Sequence, residues 1–143
     1  MQKILIIQAP YYKKISQMLL DGASRALKSE NVEFDIIEVA GALEIPAAIA
    51  IAKDNKKYTG FIALGCVIRG ETSHYDYVCQ ESAHGLNLLA INYQTAIGNG
   101  IITVENEDQA IARADPKQKN KGGFAVKACL QMIKLKTVLK KPL

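Results

Sequence analysis

The sequence predicts an α/β protein, a single-domain three-layer α/β/α sandwich built on a four-stranded parallel sheet. Short apolar runs typical of buried strands alternate with longer segments of helical spacing along the whole chain. The 143 residues, 49% of them apolar, suffice for one domain with its own core, and no repeat or linker divides residues 1–143. Because strands that alternate with helices are joined by crossovers, the sheet should be parallel, with helices on both faces.

Four segments have the composition of strands. The first, Lys3–Gln8, contains four consecutive apolar residues from Ile4 to Ile7, as expected for a strand that is buried on both faces. Further strands are predicted at residues 34–39, 60–67 and 100–104.

Five helical segments separate and follow these strands. In the first, apolar residues recur at helical spacing, at Ile15, Met18, Leu19, Ala23, Ala26 and Leu27. Pro46 suits the first turn of the second helix. The other helices are predicted at residues 75–89, 107–114 and 122–139, with a polar loop at residues 115–121.

Composition and charge indicate which class of ligand the protein binds and in which cellular compartment it works. The net charge of +4 suits an anionic small substrate, and no interleaving of aromatic and basic residues favours a nucleic acid. The three cysteines are scattered without a CxxC pair, which is typical of a reducing compartment and not of a disulfide framework or a zinc site. No apolar run is long enough for a signal peptide or a membrane span, so a cytoplasmic protein is expected.

A ligand site is expected beyond the carboxyl ends of the strands. In open parallel sheets, ligands bind at that edge, beside helix N-termini. Three segments of this chain should meet there, at residues 9–12, 40–46 and 66–74. Catalytic and binding residues are therefore expected in these segments.

The segment at residues 66–74 carries the clearest signal. Gly70, Glu71, Thr72 and Ser73 lead into a helix, where backbone N–H groups and the helix dipole can hold a phosphate, although Thr72 or Ser73 could simply cap the helix. His74 follows in the first turn, where the dipole favours a neutral imidazole that can accept a proton. The other histidine lies ten residues further on, about 15 Å away along the helix. No GxGxxG or GxxxxGK[ST] motif indicates a nucleotide.

Other candidates have structural alternatives. Glu44 could act in a site or merely balance the dipole of its helix. Tyr11 and Tyr12 could be surface residues or a platform for a flat heterocycle. Arg113 and Lys121, on either side of a polar loop, could be solvated or could bind phosphate. These residues predict an anion site with a candidate base, and they do not name a reaction.

Three ordered motifs resemble the 6,7-dimethyl-8-ribityllumazine synthases of riboflavin biosynthesis. They are GALEIP at residues 41–46, VIRGETSHYDYV at residues 67–78, and a third motif that runs from Glu105 to Gly122. The resemblance covers nearly the whole chain. It implies a flavodoxin-like fold and a condensation of 5-amino-6-(D-ribitylamino)uracil with 3,4-dihydroxy-2-butanone 4-phosphate that needs no cofactor and no metal.

The resemblance also implies roles at the phosphate end of the site. His74 matches the histidine that transfers protons. Glu71 and Thr72 match the turn whose backbone amides bind phosphate. Arg113 matches the arginine that binds the butanone phosphate, and Lys121 matches a lysine near it.

At the other end, the resemblance implies a pyrimidine site. Tyr11 stands where the family places an aromatic ring that stacks on the pyrimidine, and Asn99 stands where a phenylalanine is common. The family often has Arg-Phe-Asn where this chain has Pro10, Tyr11 and Tyr12. Two segments match the remaining contacts: Ala42, Leu43 and Glu44 for the ribityl chain, and Cys66, Val67 and Ile68 for the ring edge.

Partners follow from the same resemblance. The family forms homopentamers whose sites are shared between adjacent subunits, and some members assemble twelve pentamers into a shell. The short N-terminus and the segment at residues 115–119 favour a free pentamer here. The expected partners are the two small-molecule substrates, further copies of the chain and riboflavin synthase, and neither nucleic acid nor membrane is expected.

Three alternatives stay open. The first is a non-catalytic paralogue that binds flavin or lumazine rings on the same fold. The second is a sugar-phosphate aldolase or isomerase that uses Lys121 as a Schiff base, which borohydride trapping would detect. The third is a basic nucleic-acid binder, whose affinity would fall steeply with salt.

Overall fold

A computed structural model describes residues 2–141. The four strands are β1 (Lys3–Gln8), β2 (Glu33–Glu38), β3 (Gly60–Ile68) and β4 (Ile97–Val104). The five α-helices are α1 (Lys13–Ser29), α2 (Ile45–Ala52), α3 (His74–Tyr93), α4 (Glu107–Ala114) and α5 (Lys121–Leu139), and a single 3₁₀ turn (Ala42–Glu44) precedes α2.

The strands form one parallel sheet in the order β2-β1-β3-β4. The chain goes from β1 to β2 on one side and then returns past β1 to β3, so the strand order reverses between β1 and β3. In open sheets this reversal opens a crevice at the carboxyl edge. The predicted α/β sandwich with a four-stranded parallel sheet is confirmed.

The core lies in two layers, one on each face of the sheet. Alternate side chains of β1 point to opposite faces, so Ile4 and Ile6 pack with α1 and α5, while Leu5 and Ile7 pack with α2 and α3. Both central strands are almost fully buried. Burial of each such side chain contributes roughly 1.5–3 kcal/mol, which explains the apolar run that begins the sequence.

Two glycines let α5 approach its neighbours closely. A Cβ at Gly98 of β4 would collide with the carbonyl oxygen of Ala125, and one at Gly122 would collide with the carbonyl oxygen of Leu19 in α1. Helix α5 therefore packs backbone against backbone on both β4 and α1.

Some element boundaries differ from those predicted. β4 begins at Ile97 and not at residue 100, since Gly98 and Asn99 pair with Ile62 and Ala63 of β3. The predicted start was too late because glycine and asparagine have poor strand propensity. Helix α3 begins at His74 itself and continues to Tyr93, past the predicted end at residue 89. The 3₁₀ turn had no signal in the sequence.

Asp35 of β2 gives the sheet a pH-dependent contact. Its carboxylate accepts a hydrogen bond from the Tyr58 hydroxyl at 2.7 Å and forms ion pairs with Lys3 and Lys57, each at 3.1 Å. The Tyr58 hydroxyl first, and then the two lysines, lower the pKa of Asp35 to about 2.

We expect the stability that Asp35 contributes to disappear in acid. Its folded pKa lies below the unfolded value of about 3.9, so the contribution is complete above roughly pH 5 and is lost as the pH falls towards 2. Urea unfolding of the wild type and of Asp35→Asn should show a difference in the free energy of unfolding at pH 6 that shrinks as the pH falls from 5 to 2. A difference that is constant over this range would contradict the assignment.

None of the helices in residues 2–141 is long and apolar enough to cross a membrane.

Candidate active site

A cavity of about 520 Å³ opens at the carboxyl edge of the sheet, where the strand order reverses. It draws its walls from the loop after β1, the segment before α2, the end of β3 and the start of α3. Its lining residues are Ala9, Tyr11, Tyr12, Ala40, Gly41, Ala42, Leu43, Glu44, Cys66, Val67, Ile68, Gly70, Thr72, His74, Tyr75 and Val78.

The end of β3 forms the floor of the cavity. β1 pairs with residues 60–64 of β3, while Cys66, Val67 and Ile68 pair with β4 on the other side. The edge of β3 that faces the cavity is therefore open to a planar ligand. Burial raises the pKa of the Cys66 thiol to about 12, so the thiol stays protonated near neutral pH and serves as a wall and not as a nucleophile.

Two tyrosines form one side of the cavity mouth. The Tyr11 side chain is 75% exposed, and its ring centroid lies 4.9 Å from that of Tyr12 at an interplanar angle of 76°. Tyr12 is half-buried at the start of α1, and burial raises the pKa of its hydroxyl. This edge-to-face contact supports the Tyr11 ring and leaves it accessible for stacking.

The opposite side is the 3₁₀ turn before α2. The Glu44 N–H donates to the carbonyl oxygen of Gly41 at 3.1 Å, and this bond closes the turn. The exposed side chains of Leu43 and Glu44 line the cavity beside the buried Ala42. One carboxylate thus stands in an otherwise largely apolar rim.

The segment at residues 70–73 carries unpaired backbone donors. Thr72 Oγ1 accepts a hydrogen bond from the His74 N–H at 3.3 Å, whereas Ser73, the N-cap residue of α3, makes no cap hydrogen bond through its side chain. The N–H groups of residues 70–73 themselves have no hydrogen-bond partner within residues 2–141. These donors lie at the positive end of the α3 dipole, an arrangement that is able to bind an anion, and we call residues 70–73 the anion seat.

His74 is the first residue of α3 and lines the cavity with an exposed imidazole. It therefore lies next to the anion seat, within the space that a ligand would fill. His84 is exposed further along α3 and does not line the cavity. Of the two histidines, His74 is thus the one that lines the cavity.

Four of the predicted site residues do not line this cavity. Glu71 is exposed on the loop before α3. Asn99 is exposed on the edge strand β4, where its Oδ1 accepts from the Ile101 N–H at 2.9 Å. Arg113 lies at the end of α4 and donates to the carbonyl oxygen of Gln109 at 3.2 Å. Lys121 begins α5, with Nζ 5.2 Å from the ring centroid of Phe124.

No lysine or arginine among residues 2–141 lines the cavity. Its lining includes the carboxylate of Glu44 and the imidazole of His74. A bound phosphate would carry up to two negative charges, which the backbone amides alone balance only in part. Within the described residues there is also no cluster of His, Cys, Asp and Glu that could hold a metal ion.

Two of the lining residues lie outside the three segments that the sequence indicates. Tyr75 and Val78 follow His74 on α3 and face the same cavity. For Val78 a signal was available, because a position four residues after His74 falls on its side of a helix, whereas Tyr75 lies about 100° around the helix and had no such signal.

A second cavity, of about 580 Å³, opens at the opposite edge of the sheet. None of the site residues predicted from the sequence lines it. Its lysines include Lys53, which is already paired with Asp54 at 3.0 Å and lies 4.3 Å from the ring centroid of Tyr93. Its slightly larger volume therefore does not outweigh the chemistry of the first cavity.

Comparisons with known proteins agree with the three sequence motifs. The family model of 6,7-dimethyl-8-ribityllumazine synthase matches residues 1–137. The chain is 55% identical to the 6,7-dimethyl-8-ribityllumazine synthase of Bartonella tribocorum, over 93% of this chain and 89% of that one. It is 52% identical to that of Zymomonas mobilis, over 97% of this chain and 99% of the relative.

A solved structure supports the fold alone. A crystallised fragment from Peptoclostridium difficile 630 is similar with a TM-score of 0.54 at 15% identity, over 93% of this chain and 99% of that one. The sequence relatives carry the identification, because they share about half of all residues over nearly their full length. The chain therefore belongs to the 6,7-dimethyl-8-ribityllumazine synthase family.

Proposed function

We propose that this protein condenses 5-amino-6-(D-ribitylamino)uracil with 3,4-dihydroxy-2-butanone 4-phosphate, releasing phosphate and two waters to give 6,7-dimethyl-8-ribityllumazine. One observation carries the proposal. A single cavity joins an open strand edge, an exposed tyrosine ring, two residues with unpaired amides (Gly70 and Thr72) and an imidazole, and the chain belongs to a family named for this activity.

The pyrimidine would bind along the end of β3. Its polar edge would pair with the backbone at Cys66, Val67 and Ile68, while one face stacks on Tyr11. The ribityl chain would extend towards the 3₁₀ turn, where Ala42, Leu43 and Glu44 line the rim. Glu44 is the one acidic side chain in the cavity lining, and its carboxylate can accept hydrogen bonds from ribityl hydroxyls.

The phosphate of the second substrate would bind at residues 70–73. The unpaired N–H groups of Glu71 and Thr72 would donate hydrogen bonds to the phosphate, whereas the side chain of Glu71 does not line the cavity. Backbone amides at a helix N-terminus bind a phosphate without a nucleotide-binding motif.

His74 would move the protons of the reaction. The amine of the first substrate attacks the ketone of the second, so the carbon–nitrogen bond forms between the substrates and no enzyme lysine is needed. His74 would take a proton from the attacking nitrogen and return one to the departing hydroxyl as water leaves. It would then assist removal of the proton whose loss expels phosphate.

The missing cation supports a site that is shared between subunits. We propose a homopentamer in which Arg113 and Lys121 of one chain reach the phosphate bound by its neighbour, with Asn99 at the neighbour's pyrimidine. All three lie away from the cavity of their own chain, and that cavity has no lysine or arginine. We also propose a cytoplasmic location, which the three free cysteines support.

Turnover by the purified protein tests the proposal. Mixing it with both substrates should produce the absorbance and fluorescence of the lumazine without added metal or nucleotide. A protein that binds the lumazine product but forms none from the two substrates would instead be the non-catalytic paralogue, and the proposed activity would be wrong.

Tyr11 supplies a second test at the pyrimidine end. We expect Tyr11→Ala to weaken pyrimidine binding by roughly 1–3 kcal/mol, the range for an aromatic platform under a base, and Tyr11→Phe to bind nearly as the wild type does. Isothermal titration with the pyrimidine substrate would measure both. Equal losses in the two variants would show that the hydroxyl, and not the ring face, makes the contact.

A further inference from the structure

Arg69 connects three segments at the base of the anion seat. It follows the last residue of β3, and its N–H donates to the carbonyl oxygen of Val104 at 3.0 Å. Its Nε donates to Glu105 Oε2 at 2.7 Å, just after β4, and its Nη2 donates to Asp76 Oδ1 at 3.3 Å, in the first turn of α3. The end of β3, the start of α3 and the end of β4 are thereby held to one guanidinium.

The same guanidinium lies over an aromatic ring. Its Cζ is 4.3 Å from the ring centroid of Tyr75, which lines the cavity immediately after His74. A cation at this distance is attracted to the ring face. Arg69 therefore precedes the segment at residues 70–73, contacts Tyr75 and Asp76 just after it, and also supports a wall of the cavity.

The charges argue against a direct role for Arg69 in binding phosphate. The hydrogen bond to Glu105 first, and then that to Asp76, raises the pKa of Arg69 further above its usual value, so the group stays charged and paired. Two carboxylates surround one cation, which leaves this cluster with a net charge of −1. Arg69 does not line the cavity.

The pairs are also poorly placed to stabilise the fold. The Arg69 side chain is 40% exposed, and those of Asp76 and Glu105 are 59% and 55% exposed. Ion pairs this exposed contribute little to the free energy of unfolding. The planar guanidinium of Arg69 can instead fix the orientation of residues 70–73, because it binds two carboxylates at once in one geometry.

We propose that Arg69 is a positioning residue that holds the amides of residues 70–73 and the imidazole of His74 in the orientation needed for the phosphate-bearing substrate. This inference rests on the proposed function and deepens it. The cluster of Arg69, Asp76 and Glu105 would affect binding of the butanone phosphate and not of the pyrimidine, since the proposed pyrimidine contacts lie on β3 and at Tyr11.

Arg69→Lys tests the proposal, with Arg25→Lys as the matched control on the exposed face of α1. Lysine keeps the charge but cannot bind both carboxylates in a fixed plane. We expect KM for the butanone phosphate to rise about tenfold or more, since misplacement of binding groups by about 1 Å can cost about 100-fold. Pyrimidine affinity and the midpoint of thermal unfolding should match those of the control.

Two further variants and a binding measurement complete the design. Asp76→Asn and Glu105→Gln each weaken one of the two ion pairs of Arg69, and each should raise KM for the butanone phosphate by a smaller factor. Titration of inorganic phosphate, followed by phosphorus NMR, measures the seat without turnover and should show weaker binding to Arg69→Lys than to the wild type.

The outcomes separate the two proposals. An inactive wild type would contradict the proposed function, while the phosphate titration would still decide the role of Arg69. An unchanged KM together with unchanged phosphate binding in Arg69→Lys would overturn the inference. Equal losses for phosphate, pyrimidine and thermal stability would overturn it too, because they would indicate a general structural role.

Discussion

Replacing His74 by alanine should lower turnover by about 100-fold while the pyrimidine substrate binds nearly as it does to the wild type. The expectation follows from where the imidazole lies. His74 begins α3 beside the unpaired amides, whereas the proposed pyrimidine contacts come from β3 and Tyr11. Loss of the imidazole should remove a proton-transfer group and leave the binding groups in place.

The residual activity has its own explanation. A protein that still binds both substrates in one cavity keeps the advantage of proximity. The variant should therefore be slow and not inert. Single-turnover measurements with both substrates saturating would separate the chemical step from binding.

His84→Ala is the matched control. His84 lies on the same helix, is exposed, and does not line the cavity. It should turn over at close to the wild-type rate. If His84→Ala were slower than His74→Ala, the choice of base would be wrong, and so would the position of the reacting atoms next to residues 70–73.

The fold was predictable because local patterns and topology agree. The apolar run of β1 and the helical spacing of α1 indicate their structures by composition alone, and strands that alternate with helices admit few arrangements. The edge that carries the cavity followed from the same rule. The start of β4 was not predictable, because a glycine at position 98 is required by the close approach of α5, and local strand propensity does not report such a contact.

The candidate site was predictable where the topology brings strand ends to one edge of the sheet, and where neighbours in sequence are neighbours in space. His74, Thr72 and Gly70 follow one another in the chain and meet in the cavity. Arg69 pairs with Glu105, which lies 36 residues away, so that contact could not be derived from spacing. Arg113 is a different case, since the described chain does not bring it to the cavity and its proposed role depends on a second copy.

The test with the most to decide concerns Arg113. If Arg113 binds phosphate across a subunit boundary, Arg113→Ala should lose a charge-assisted hydrogen bond worth about 1.5–3 kcal/mol, and the efficiency of turnover should fall roughly 10- to 150-fold. Arg25→Ala, on the exposed face of α1, is the matched control and should lose little. Steady-state kinetics with the butanone phosphate varied would measure both.

Co-expression of Arg113→Ala with His74→Ala then shows which chains form the site. In a mixed ring with shared sites, about a quarter of the subunit boundaries would combine the intact His74 of one chain with the intact Arg113 of its neighbour. Activity should therefore exceed that of either parent, whereas co-expression of His74→Ala with His74→Asn should give no recovery. If mass spectrometry proved mixing and activity still did not rise, Arg113 and His74 would serve the same subunit. The cavity's lack of a cation would then need another explanation, because Arg113 would have to approach it by a rearrangement of α4 within its own chain.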